Sequence, residues 1–224
     1  MGSSGHNFRR WFRGADTSQE KTAESGKTAP RTSRRCIGLG EFIRGLKNAG
    51  ETKLSVLDLG PTTPVNIAYI TELGARVYNQ DLLREALEPE YQVKQEDGSM
   101  QIDAEKFFSE NLNYPAGHFD AILCWDVADY LPEALVKPLV ERLEKLLKPK
   151  GNLLAFFHMK DAGPESRYSR HHIVQEDTLE LEPIEGFPLR RIFNNRHIEN
   201  LFKEFASRKF FLGRDNIREV LMVR

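Results

Sequence analysis

The chain has 224 residues, of which 40% are hydrophobic and 29% charged, with a formal net charge of −1. That length suits one sizeable α/β domain or a domain with an appendage, and the near-neutral charge argues against a protein built mainly to hold nucleic acid or an anionic membrane. No apolar run approaches the roughly 18 residues of a transmembrane helix, the N-terminus lacks the apolar stretch of a signal peptide, and Cys36 and Cys124 do not form a metal-ligand spacing, so a cytoplasmic setting without a metal centre is expected.

Charge is uneven along the chain. Residues 1–36 carry eight Arg and Lys against three Asp and Glu, and the remainder is correspondingly acidic. Residues 1–35 are expected to be a disordered basic tail, because 14–35 contain almost no large apolar groups. The segment "FRRWFRG" (8–14) interleaves aromatics with arginines and is a candidate contact for a membrane surface or a partner protein. From Cys36 onward the pattern is regular. Ile37, Leu39, Phe42, Ile43 and Leu46 recur at helical spacing. "LSVLDL" (54–59) reads as a buried strand. Residues 64–73 read as a helix with Thr63 as N-cap, Pro64 in the first turn and Gly74 as stop. "ARVYNQ" (75–80) is the next strand and ends at Asp81, ahead of a short helix "LLREAL". Two short strands around Asp97-Gly98 and a helix "AEKFFSENL" follow.

"FDAILCW" (119–125) is a strand, and residues 133–148 form an amphipathic helix that either kinks at Pro138 or begins near it. Gly151 closes that helix, "NLLAFFH" (152–158) is a further strand, and 195–205 are helical. "RKFFLG" and "REVLMVR" close the chain as a hairpin. Strands alternating with helices predict a mostly parallel sheet with right-handed crossovers and one antiparallel strand from the terminal hairpin.

These elements, with these residues, resemble the class I S-adenosylmethionine-dependent methyltransferases over roughly residues 37–224. In that family the first strand ends in an acidic-x-Gly-x-Gly-x-Gly turn. Here Asp58 and Gly60 match, while Thr62 and Pro64 stand in the places of the second and third glycines. "GARVYNQD" matches the second strand and its terminal acidic residue, Asp81; "LNYPAGHFDAILCWDVADYL" is similar to the segment around the fourth strand; "RLEKLLKPKGNLLAF" is similar to the helix, turn and fifth strand. The resemblance implies a three-layer Rossmann-like fold for residues 36–224, S-adenosyl-L-methionine as cofactor, and a small or medium-sized acceptor. It also implies that residues 159–190 lie on the substrate side, and within them the alternation from Ile173 suggests one extra strand.

For the site, the resemblance implies cofactor contacts from Asp58, Gly60, Thr62, Asp81, Asp103, Trp125 and Asp126. Independently, ligands of an open parallel sheet lie outside the carboxyl ends of the strands at the topological switch point, where Asp58, Asp81 and Asp126 are all expected. Asp81 suits two ribose hydroxyls or an N-cap ahead of Leu82. Asp103 suits the adenine amino group or a second N-cap. Trp125 suits substrate contact or packing. His158, at a strand end, suits a base or a rim residue. Gly60 is the glycine most needed, because a Cβ there would crowd the cofactor. His171 and His172 are expected to be a solvent-exposed pair whose side chains point apart, and Asp120, at the opposite strand end, to be structural. The catalytic residues are not legible. A chain that kept the fold and lost the cofactor is the alternative reading, and the absent Gly-x-Gly-x-x-Gly argues against a nicotinamide enzyme.

Overall fold

A computed structural model of the protein describes residues 30–49, 53–61, 63–160, 166–213 and 215–224. In chain order its elements are β1 (Thr32–Arg35), α1 (Ile37–Lys47), β2 (Ser55–Asp58), α2 (Pro64–Glu72), β3 (Arg76–Asn79) and α3 (Leu82–Glu85). After a 3-10 turn come β4 (Gln92–Lys94), β5 (Met100–Ile102), α4 (Ala104–Asn111), β6 (Phe119–Trp125), α5 (Val127–Tyr130) and α6 (Glu133–Leu146). The rest comprises β7 (Leu147–His158), β8 (Ser169–Gln175), β9 (Thr178–Pro183), α7 (Asn195–Leu201), β10 (Ser207–Leu212) and β11 (Ile217–Val223).

The main sheet has the order β10-β11-β7-β6-β2-β3. β3, β2, β6 and β7 pair in parallel, and β11 is antiparallel to both its neighbours. The chain moves outward from β2 to β3, then returns to place β6 on the other side of β2. That reversal makes the carboxyl ends of β2 and β6 a switch point. Alternation along the strands divides the core between two faces. Val56, Ala121, Leu123 and Trp125 pack with α1 and α2, whereas Leu57, Ile122 and Cys124 pack with α3 to α7. The architecture is the three-layer Rossmann-like fold with an antiparallel C-terminal strand.

Local chemistry explains the ends of the elements. Thr63 accepts the Asn66 N–H at 3.0 Å as the N-cap of α2, and Pro64 follows it. Gly74 takes φ +82° just past that helix. α6 runs through Pro138 and ends at Leu146, so the chain passes directly into β7. Lys150 takes φ +67° before the regular ladder starts at Asn152. Asp120 is structural: it accepts the Ser55 N–H at 2.8 Å and pairs with Lys148 at 2.8 Å.

Two expectations are corrected here. Thr32–Arg35, read as part of a disordered tail, form β1 against β9. Pairing in register with β9 supplies the order that their composition does not. Residues 1–29, including "FRRWFRG", lie outside the described residues. Within 159–190, where one extra strand was expected, β8 and β9 form a hairpin that joins β1 in a second, antiparallel sheet, β1-β9-β8. Asn66 ties that sheet to α2. Its Nδ2 donates to the His171 carbonyl at 2.8 Å and its Oδ1 accepts the Ile173 N–H at 2.8 Å, in the manner of one more ladder partner.

Candidate functional site

β2 ends at Asp58, which is 2% exposed. Its Oδ1 accepts the Gly60 N–H at 3.0 Å and the Trp125 indole N–H at 2.6 Å, while Asn66 Nδ2 approaches Oδ2 at 3.4 Å. Burial raises its carboxyl to about 6 against the pull of these donors. Asn79, at the end of β3, donates to the Asp58 and Gly60 carbonyls at 3.1 and 2.8 Å and fixes the floor of the turn.

β6 ends in a bulge. Leu123 pairs with Leu154 and Trp125 with Ala155, which leaves Cys124 as the extra residue. Trp125 takes φ +50°, a left-handed conformation that costs a non-glycine residue about 1–2 kcal/mol. The indole it carries lies directly on Gly60, where an added Cβ would meet Trp125 Cδ1 at 2.8 Å and Nε1 at 3.0 Å. A face of the indole is covered by His171 of β8, stacked with ring centroids 4.7 Å apart and planes 3° apart. Phe156 packs against both rings, and Arg34 of β1 sits over Phe156 at 4.6 Å.

Behind this stack lies a buried polar cluster. Burial pushes Asp126 up to about 7, with His158 opposing the shift and the Asp129 charge adding to it. His171 is pushed down to about 3, mainly by burial. The 3.9 Å approach of His171 Nε2 to Asp126 Oδ1 is therefore not an ion pair at neutral pH. Asp129 accepts the His158 backbone N–H at 2.7 Å and lies 2.9 Å from its Nδ1, which leaves Nε2 as the ring nitrogen not engaged by Asp129. Tyr168 is fully buried. Its phenol is raised by burial and by the carboxylates of Asp126, Asp81 and Asp58, which all act on it. Among the described residues Asp126 Oδ1, Tyr168 Oη and His171 Nδ1 have no hydrogen-bond partner, and each group left so costs roughly 1–3 kcal/mol.

The residues singled out in the sequence are thus placed as follows. Asp58, Gly60, Trp125 and Asp126 come together at the switch point. Asp81 caps α3 by accepting the Arg84 N–H at 3.3 Å, and its charge reaches Tyr168. Asp103 caps α4 by accepting the Lys106 N–H at 2.9 Å, and among the described hydrogen bonds none joins it to the others. Thr62 lies outside the described residues. The need for glycine at position 60 comes from the indole. The two histidines, expected at the surface, are buried: His171 stacks on Trp125, and His172 Nε2 lies 2.9 Å from Glu182. Their opposite directions follow from the strand period. Sequence reasoning missed Asn66 and Asp129. Polar residues inside apolar helical runs were the available signal for both.

The carboxylate set suits S-adenosylmethionine, whose hydroxyls and ammonium group would meet Asp58, Asp81 and Asp126. The indole of Trp125 stands in the way: it is 1% exposed, lies against Gly60 and holds Asp58 Oδ1.

The sheet order, the switch point and the acidic strand ends define a class I S-adenosylmethionine-dependent methyltransferase fold. The chain belongs to the methyltransferase-domain family, whose family model matches residues 31–206. Among solved structures it is similar to the Burkholderia thailandensis 1,6-didemethyltoxoflavin-N1-methyltransferase with bound 1,6-didemethyltoxoflavin and S-adenosylhomocysteine. That match has 15% identity over 84% of this chain and 77% of that one, with a TM-score of 0.44. It is also similar to an S-adenosylmethionine-dependent methyltransferase from Archaeoglobus fulgidus, with 11% identity over 83% and 93% of the two chains and a TM-score of 0.47. A comparison with curated proteins finds no match.

Proposed function

We propose that the protein is an S-adenosylmethionine-dependent methyltransferase for a small or medium-sized acceptor, with the cofactor lying along the carboxyl edge of β2, β3 and β6 once that edge is open. The observation that carries this reading is the set of acidic strand ends at the switch point: Asp58 closes β2, Asp126 follows β6 and Asp81 lies just past β3. Carboxylates are costly to bury without donors, and a ligand rich in hydroxyls with a cationic end supplies them. Asp81 is assigned to the ribose hydroxyls and Asp103 to the adenine end. Methyl transfer depends chiefly on holding the acceptor in line. His158, oriented by Asp129, offers Nε2 to a proton leaving the acceptor.

A second reading is a binding or scaffold protein that has lost the cofactor. The indole lying on Gly60 favours it. Calorimetric titration of the full chain with S-adenosylhomocysteine decides between the two. Saturable binding below millimolar concentration supports the enzyme, and no heat at millimolar ligand supports the scaffold.

A further inference from the structure

We infer that Trp125 and β8 form an internal plug, and that the cofactor enters only when the indole leaves Gly60 and Asp58. The inference rests on the cofactor reading above. Its ground is the double occupation of one place. The indole fills the space over the turn that a Cβ at Gly60 would enter, and its N–H takes the Asp58 oxygen that faces that space.

The plug is held by identifiable parts. His171 covers the indole in a parallel stack, and β8 is pinned to α2 through both ends of the Asn66 amide. Phe156 and Arg34 back the stack from β7 and β1. Asn66 lies in the turn-and-helix segment that follows Gly60, so the crevice floor and its cover are joined by one side chain.

The closed arrangement also carries the features of a state that can be displaced. Trp125 is left-handed at a bulge, where strain and irregular pairing concentrate. Among the described residues, Asp126 Oδ1, Tyr168 Oη and His171 Nδ1 remain without partners beneath the cover. A polar ligand entering the crevice satisfies groups that the closed form leaves bare. The ligand therefore has a differential affinity for the open form, which a population shift requires. The apparent affinity of the parent protein is then reduced by the fraction of molecules that are open.

The experiment uses the full chain with Trp11→Phe, which leaves Trp125 as the sole tryptophan, since the chain has two. S-adenosylhomocysteine is titrated by calorimetry while the emission of Trp125 is followed. Expected are a shift of that emission to longer wavelength on saturation and at least roughly tenfold tighter binding in Trp125→Ala. Asn66→Ala, which keeps the indole, frees β8 and also removes the 3.4 Å approach to Asp58 Oδ2, is expected to bind several-fold tighter and serves if Trp125→Ala does not fold. Binding by the parent as tight as by Asn66→Ala, with unchanged emission, overturns the plug and leaves the cofactor reading standing. No binding by the parent or by any folded variant at millimolar ligand overturns the cofactor reading, and the plug with it.

Discussion

The indole N–H of Trp125 lies 2.6 Å from Asp58 Oδ1, across 67 residues of sequence, and joins the end of β6 to the end of β2. Replacing Asp58 by Ala strands this donor together with the Gly60 N–H in a buried site. A loss of roughly 2–4 kcal/mol is expected, because each abandoned donor costs about 1–3 kcal/mol and relaxation recovers part of it. Asp58→Asn, which keeps an acceptor oxygen, should lose less. Urea denaturation of the two variants reads the difference, and equal losses would mean that the hydrogen bonds do not matter.

Gly60→Ala tests the packing of the same pair. Its Cβ would sit 2.8 Å from Trp125 Cδ1, and overpacking of this kind costs typically about 1–3 kcal/mol. In the Trp125→Ala background the added methyl has room, so the two changes should be non-additive in a double-mutant cycle. Simple additivity would place the indole elsewhere.

Asp126 makes stability depend on pH in a direction that can be assigned. Its carboxyl is raised to about 7 in the folded protein, against about 3.9 in an unfolded chain. The stabilisation is fully present below about pH 4 and is lost as pH rises through about 7, because the folded state holds a proton that the unfolded state releases. Asp126→Asn removes this term. The stability of the variant relative to the parent should therefore rise by an amount of order 2 kcal/mol between pH 5 and pH 8. Only the difference isolates Asp126, since His171, pushed down to about 3, contributes with the opposite sign. A difference independent of pH would show that Asp126 is ionised throughout.

Asp81→Ser separates a cap from a ligand contact. Serine caps a helix about as well as aspartate, so α3 should survive and the melting temperature should stay near that of the parent. S-adenosylhomocysteine binding should weaken by about 1.5–3 kcal/mol through loss of charge-assisted hydrogen bonds. Unchanged affinity in calorimetry would leave Asp81 as a cap alone.

Asp120→Asn addresses the opposite edge of the sheet. The Lys148 pair is partly exposed, so its loss should cost no more than about 1 kcal/mol. Cofactor affinity should not change, because the residue lies at the amino end of β6. An altered affinity would argue against its purely structural role.

The main sheet was legible because its strands are short apolar runs bounded by clear turn residues, and "GPTTPVN" announced both the cap Thr63 and the start of α2. The cover of the crevice was not. β1 looks like tail because its four residues include two arginines, and only pairing with β9 makes it a strand. The Asp58–Trp125 bond, the Asn66 clamp and the Trp125–His171 stack join residues 67, 105 and 46 positions apart, beyond any local pattern. The Arg34–Glu219 contact on β11, over 185 residues, is of the same kind.

That last contact bears on the order in which the molecule assembles. Glu219 is buried, pairs with Arg34 at 3.1 Å and accepts the Gly38 N–H at 2.6 Å at the head of α1. β11 also separates β7 from β10. During synthesis, therefore, the segment around residues 34–38 waits for its partner until residues 217–223 have emerged from the ribosome. Contacts of such long sequence separation form late and slowly. Until then β7, at the centre of the finished sheet, presents an unpaired edge. The nascent protein is most exposed to mispairing in the interval between the emergence of β7 and that of β11.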